Sequence, residues 1–422
     1  MPECRKPFPL SKSSWPNSVA PDFDIVIVGG GLSGGSLALA LQHSAYRIAL
    51  VEAQTDPERR ASPAGNRALA LSYGTVCHLR ALELWQGLET QAAPITRIHV
   101  SDRGHFGATR LCAEDHGVEA LGYVITAREL ENRIAESLES SPIERICPAR
   151  LRNIRCTPES VFLTLDKNDA SLDLSARLLI GADGVSSSVR SLLNIGQFIR
   201  DYGQSAIVTQ VRPAVDPAGI AFERFTPSGP LAMLPVPNRS CSVVWTQKTR
   251  VAERLMELEE PEFLAQLQST FGFRLGRLQL ESRRVLFPLK LVRANSMIAQ
   301  RAVLIGNTVH QLHPVAGQGF NLGMRDVALL AELLVDNLEN QRDPADQALL
   351  RAYAKARTSD HRLLIHFTDG LVRVFSNDLP FSGVRGLGLL GLDRCAWAKR
   401  TLTRHAMGLG VRMPRIGKGR SG

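Results

Sequence analysis

Ile25-Val26-Ile27-Val28-Gly29-Gly30-Gly31-Leu32-Ser33-Gly34 is the stretch that decides the fold. Four consecutive β-branched residues read as a parallel strand buried on both faces, and the run breaks directly into glycine. Positions 29, 31 and 34 match G-x-G-x-x-G, and the small and apolar residues from Leu37 to Leu41 read as the helix that follows. A second strand, Ile48 to Val51, ends in Glu52, 23 positions after Gly29. Gly29 permits the tight turn, Gly31 lets the backbone approach a pyrophosphate, and Gly34 lets helix and strand pack closely. The helix N-terminus offers unpaired N–H groups and the positive end of its dipole to phosphates. Glu52 is placed to accept hydrogen bonds from ribose hydroxyls, and its charge would repel a 2′-phosphate. Strand, glycines, helix, strand and acid in this order indicate a Rossmann-type dinucleotide site. Gly386-Leu387-Gly388-Leu389-Leu390-Gly391 has the same spacing, but no β-branched run precedes it and no strand with a terminal acid follows. It reads as a small-residue apolar segment.

Two more buried strands run into glycine. Ala176 to Ile180 enters Gly181-Ala182-Asp183-Gly184, and Ala302 to Ile305 enters Gly306. Beyond Gly306, a glycine-rich loop leads to a long helix carrying Val327, Leu330, Leu334 and Leu338 on one face. Thr126 to Leu138 has helical spacing. The segments from about Ile95 to Glu119 and from about Gln197 to Leu291 alternate in polarity and carry turn signals such as Pro227-Ser228-Gly229-Pro230, which predicts a β-rich layer facing a substrate. The expected architecture is α/β: a Rossmann-type domain assembled from residues 22–95, 125–196 and 292–360, with a β-sheet substrate domain inserted as 96–124 and 197–291. A disordered leader is expected over 1–21, and C-terminal helices with a basic tail over 361–422.

With 422 residues, 44% of them apolar and 22% charged, the chain is long enough for two or three packed units. Its seven cysteines are widely spaced and form no C-x-x-C pair, which argues against a disulfide framework and against a zinc or haem site; no metal site is expected. No apolar run approaches a spanning helix, and the proline-rich start lacks the apolar core of a signal peptide, so a cytoplasmic location is expected. The formal charge is +9. From Arg385 to Gly422 there are nine basic residues against one acid, Asp393, so the excess is almost wholly local. These cations line no recognition helix or RNA-binding sheet, which disfavours nucleic acid as a partner.

Three spaced motifs together carry a resemblance. The glycine motif, Gly181-Ala182-Asp183-Gly184 with Ser188-Val189-Arg190, and Gly306-Asn307-Thr308-Val309-His310 running through His313-Pro314 and Gly317-Gln318-Gly319-Phe320-Asn321-Leu322-Gly323 to Asp326 occur in the order found in the FAD-dependent aromatic hydroxylases of the para-hydroxybenzoate hydroxylase type. The chain resembles that family from Asp24 to about Phe375. Asn307 stands where the family usually has Asp; an amide can still hydrogen-bond a ribityl hydroxyl but brings no charge. With this change, and with Ala221-Phe222-Glu223-Arg224-Phe225-Thr226 and Gly229-Pro230-Leu231-Ala232-Met233-Leu234-Pro235, the chain looks like the ubiquinone-biosynthesis hydroxylases that act on 2-polyprenyl-6-methoxyphenol.

The resemblance implies FAD as cofactor, O2 as co-substrate, NAD(P)H or another electron donor, and hydroxylation of a polyprenylated methoxyphenol through a flavin C4a-hydroperoxide. Gly29, Gly31, Gly34 and Glu52 would hold the ADP half, and Arg128 would lie near the pyrophosphate. Asp183 and Asn307 would serve the cofactor from the second and third motifs. The loop of Pro314, Gly317, Gln318, Gly319 and Asn321 would lie along the isoalloxazine ring, with Arg67 near the flavin and the site entrance. Pro314 and Arg67 are the candidates for the catalytic centre. Two other readings stay open: another ring position or aromatic substrate, and a flavin-binding subunit without turnover. A prenylated phenol lives in the bilayer, so the basic tail with Trp397 fits peripheral attachment to a membrane, and other ubiquinone-biosynthesis proteins are the implied partners.

Overall fold

The computed structural model describes residues 20–105, 107–312, 317–375, 393 and 395–410. Residues 1–19 of the expected leader, His313, Pro314, the 386–391 segment and most of the basic tail lie outside them. Pro21 already belongs to the folded body, because its carbonyl accepts a hydrogen bond from the Arg47 guanidinium at 2.9 Å.

The β-branched run forms the strand Phe23–Val28, paired in parallel with Ile48–Val51 on one side and with Ala170–Gly181 on the other. Ala170–Gly181 in turn pairs in parallel with Ala302–Leu304, and Glu144–Ile146 extends the opposite edge. Residues 25–28, 48–51, 178–181 and 302–304 in these strands are buried on both faces, as their apolar runs require. Their parallel direction brings Gly29, Glu52, Ala182-Asp183 and Gly306 to the same carboxyl rim, where open α/β sheets place their ligands. The N-terminal half of Ala170–Gly181 does something that periodicity did not separate. It joins Val161–Lys167 and Arg150–Cys156 in an antiparallel meander before entering the parallel core.

The segments read as a substrate layer form a nine-stranded sheet, in which Arg97–Asp102 and Ala108–Cys112 extend the edge beside Ile220–Thr226. One face buries Phe222, Trp245, Phe263, Leu267 and Phe271 beneath the helices Thr249–Glu257 and Glu260–Phe271. Burial of a side chain such as Phe263 contributes roughly 1.5–3 kcal/mol. The short strand His310–Gln311 pairs with Val285–Ala294 and so fastens the third motif to this sheet. A third sheet of Ala68–Ser72, Gly122–Thr126 and Ala93–Ile95 lies at the junction.

Helices Gln318–Glu339 and Gln347–Phe375 are joined by a buried charge knot. Asp326 accepts from the Arg357 Nε at 2.6 Å and from the Gly306 N–H at 3.1 Å, and lies 2.9 Å from His361 Nε2. Arg357 also donates to Asp360 at 2.6 Å, and Asp360 accepts from Arg325 at 2.9 Å. Burial alone would raise the Asp326 carboxyl, but His361 and Arg357 beside it hold it well below the usual range. His310, Asp326 and His361 bring metal-type donors within 4.8 Å of one another, yet the Arg357 guanidinium supplies the cation there. Arg357→Met leaves two buried carboxylates short of their counter-charge. It is expected to lower stability by about 3–5 kcal/mol, read as a lower urea midpoint of the flavin-loaded protein.

Candidate functional site

A cavity of about 1110 Å³ follows the carboxyl rim. The three motifs meet there through glycine. Gly29 has φ +104°, and a Cβ on it would lie 2.5 Å from the Ala182 carbonyl oxygen, so no other residue fits. At Gly34 a Cβ would overlap the Gly29 carbonyl, and at Gly306 it would overlap the Ser33 hydroxyl. Gly31 and Gly319 behave differently. A Cβ at either would meet no protein atom within 4 Å, although both positions line the cavity. Glycine there is not demanded by the packing of the chain on itself; it keeps backbone open toward whatever fills the cavity, as a pyrophosphate and a flat ring system require. The residues present therefore fit a flavin dinucleotide.

Glu52 accepts from the Gly30 N–H at 2.7 Å and the Gln54 N–H at 2.8 Å, which fixes its carboxylate at the rim with acceptor capacity left on both oxygens. Arg67 lines the same cavity. Glu131 faces it too, and burial raises that carboxyl against the opposing pull of Arg67, Arg59 and Arg128. Asn307, exposed in the turn Gly306–Thr308, also lines it.

Three expected ligands, Arg128, Asn321 and Gln318, do not line this cavity, and a fourth, Asp183, lines it with its carboxylate already engaged. Arg128 lies outside the wall of this cavity, in a small recess with Asp56, Arg59 and Glu131. It donates to Asn66 at 2.8 Å and to the Ser62 carbonyl at 3.2 Å, and so braces the loop that carries Arg67. The Asp183 carboxylate is committed to the chain, accepting from the Ser187 hydroxyl at 2.5 Å and the Ser188 and Val189 N–H groups at 2.7 and 3.1 Å. Asn321 is buried and committed in the same way. It accepts from the Ser72 N–H and the Thr75 hydroxyl at 2.9 and 2.8 Å, and donates to the Ala70 and Gly317 carbonyls at 2.9 and 3.1 Å. Its side chain positions the loop and has no group left for a cofactor. Gln318 is buried and turns toward a second cavity. Pro314 lies outside the described residues.

The second cavity, about 580 Å³, lies between the nine-stranded sheet and the C-terminal helix Ala396–Ala406. Ile98, Val100, Phe225, Leu234, Leu364 and Leu402 make it apolar. It shares Ala68, Ala70 and Gly317 with the first cavity, so the two spaces meet across a wall of small residues. The sequence predicts the β-rich layer that forms one side of this space and helices at the C-terminal end, but not that the helix Ala396–Ala406 and the isolated Glu223 stand in its wall.

A family model described as an FAD binding domain matches residues 22–368. The chain is 37% identical over 406 residues to ubiquinone hydroxylase UbiL of Rhodospirillum rubrum, covering 94% of this chain and 92% of that one. The chain belongs to the FAD-dependent hydroxylases of ubiquinone biosynthesis. The 3-demethoxyubiquinol 3-hydroxylase of Escherichia coli is 30% identical over 394 residues, covering 92% of this chain and 98% of that one. The crystal structure of p-nitrophenol 4-monooxygenase PnpA from Pseudomonas putida superposes with a TM-score of 0.74 at 17% identity, over 92% of this chain and 98% of that one, and shares the fold. As a member of this family the protein is an FAD-dependent aromatic monooxygenase, with O2 and NAD(P)H as the family's co-substrates.

Gly319 occupies the second position of the helix Gln318–Glu339. Gly319→Ala is expected to stabilise the apoprotein by about 0.5–1 kcal/mol through helix propensity while weakening FAD binding by an order of magnitude or more. Thermal melts of the apoprotein and flavin titration read the two effects separately.

Proposed function

We propose that the protein hydroxylates the ring of a polyprenylated methoxyphenol, 2-polyprenyl-6-methoxyphenol in first place, during ubiquinone biosynthesis. The observation that carries this reading is the meeting of a polar, glycine-lined cavity with an apolar one across Ala68, Ala70 and Gly317. Small residues at that junction let a ring in the second cavity approach a flat cofactor in the first.

The ADP half of FAD would rest on the backbone at Gly29, Gly31 and Gly34, with Glu52 receiving ribose hydroxyls. Asn307 would take the ribityl chain, and Gly317 and Gly319 would face the ring. Arg67 would supply positive charge beside it, with Arg128 bracing its loop. Bound there, FAD supplies the activation of dioxygen that delivers one oxygen atom to the substrate. The start of the helix Gln318–Glu339 presents its dipole to negative charge developing on the ring system. The apolar walls hold the phenol in line and exclude water.

The E. coli relative's name favours a second substrate, 3-demethoxyubiquinol. Incubation of the holoenzyme with NAD(P)H, O2 and each of the two substrates separates the readings. Hydroxylation of the polyprenyl methoxyphenol is expected; turnover of the demethoxyubiquinol alone moves the assignment to the other ring position, and turnover of neither refutes both.

Access from a membrane is part of this proposal. Leu363 and Trp397 are exposed, Trp397 by 77%, and both line the apolar cavity. Trp397 shares its helix with Lys399, Arg400 and Arg404. An exposed indole with cations along the same helix suits an interfacial anchor on anionic lipid, with the cavity mouth held at the bilayer surface. Trp397→Ala is expected to reduce co-sedimentation with anionic liposomes several-fold without changing flavin content; unchanged sedimentation removes the helix as the anchor.

A further inference from the structure

We propose that Glu223 is the base that takes the proton from the phenol hydroxyl of the substrate. This rests on the reading that the apolar cavity receives a phenol. Glu223 sits mid-strand in Ile220–Thr226, with Ala221 and Phe225 on the same cavity-lining face. The residues opposite it on the flanking strands are Ala232 and Val100, both apolar and both in the cavity wall. Its half-buried carboxylate has no hydrogen-bond or ion-pair partner among the described residues. A strand that needed only packing here would carry an apolar side chain, since a lone carboxylate in such a wall costs stability.

Position supports the role as well. Ala221 belongs to the cluster into which Ala68 and Ala70 pack, and these two alanines form the wall shared with the cofactor cavity. Glu223 therefore lies two residues along the strand from the junction at which the ring is to be hydroxylated. Burial pushes its carboxyl up to about 7, a value suited to a general base near neutral pH. The other charged groups in this wall are already engaged. Arg325 and Asp360 pair with each other, and His405, on the C-terminal helix, has its Nδ1 3.1 Å from the Thr401 carbonyl. Arg224, the next residue on the strand, does not line the cavity.

In the step, the phenol O–H bond breaks, the proton passes to a carboxylate oxygen of Glu223, and the substrate becomes a phenolate. The oxygen electron pair is then available to the ring, which raises its nucleophilicity. After hydroxylation at the open position para to the phenol oxygen, Glu223 returns that proton to the same oxygen while the ring-carbon proton leaves to solvent, and the aromatic ring is restored as a hydroquinone.

The test uses the holoenzyme and the probe 2-methoxy-6-geranylphenol at about pH 8, above the pH at which Glu223 ionises. Flavin fluorescence reports binding, and turnover measured across pH reports the base. Turnover should fall about 100-fold or more in Glu223→Gln with the probe still bound, and the rise in kcat through neutral pH should be lost. Glu223→Asp should recover part of both, and it decides the matter by the same pH profile should Glu223→Gln lose its flavin. A Glu223→Gln enzyme that keeps wild-type turnover and the pH-dependent rise overturns the role of Glu223 and leaves the substrate reading intact. Failure of the wild type to bind the probe overturns the substrate reading and this proposal together.

Discussion

Backbone against backbone, with no side chain between, is the constraint on which the rest of the molecule depends. The turn from Phe23–Val28 into Leu32–Leu41 brings Gly34 against the Gly29 carbonyl, while Gly29 itself lies against Ala182. Any Cβ at position 34 would push the helix off its strand and withdraw the helix N-terminus from the rim. The same economy of atoms recurs at Gly306 and Gly323, both of which lie against Ser33. Three distant segments of the chain thus converge on one short piece of backbone, and the cofactor cavity is the space left in front of them.

The frame was legible because each of its parts is local. A β-branched run, a glycine spacing and an acid at a strand end are read within thirty residues, and parallel pairing then assembles them without further information. Side-chain commitments were less legible. Asp183 and Asn321 stand in motifs that suggest contact with a ligand, but the N–H groups they satisfy come from residues 188 and 189 in one case and from Ser72 in the other. A sequence records which groups can hydrogen-bond, and only the folded chain records which are already taken. Arg128 shows the same limit: its partners, Ser62 and Asn66, lie more than sixty residues upstream.

The apolar cavity was hidden for a different reason. Its walls come from strands separated by more than a hundred residues and from the helix Ala396–Ala406, whose sequence reads only as a basic, amphipathic segment. Glu223 was concealed by alternation, since a charged residue between Phe222 and Arg224 in a half-buried strand looks like one facing solvent. What identifies it is the register, which sets Val100 and Ala232 on either side of it.

Charge is sorted between the two cavities in a way that bears on the chemistry. Glu52, Arg67 and Glu131 line the first, among backbone N–H groups suited to phosphates and to a ring system that gains negative charge. The second has an apolar surface and one carboxylate without a partner among the described residues. Separation by alanine and glycine alone matters here, because a bulky residue would hold the two reacting systems apart and a polar one would bring water between them. Gly317 meets this need with φ +61°, and a Cβ on it would lie 2.8 Å from that of Ala70. For the proposed function the thinness of the shared wall is therefore as much a part of the site as any residue with a functional group, since it would set the distance across which oxygen passes.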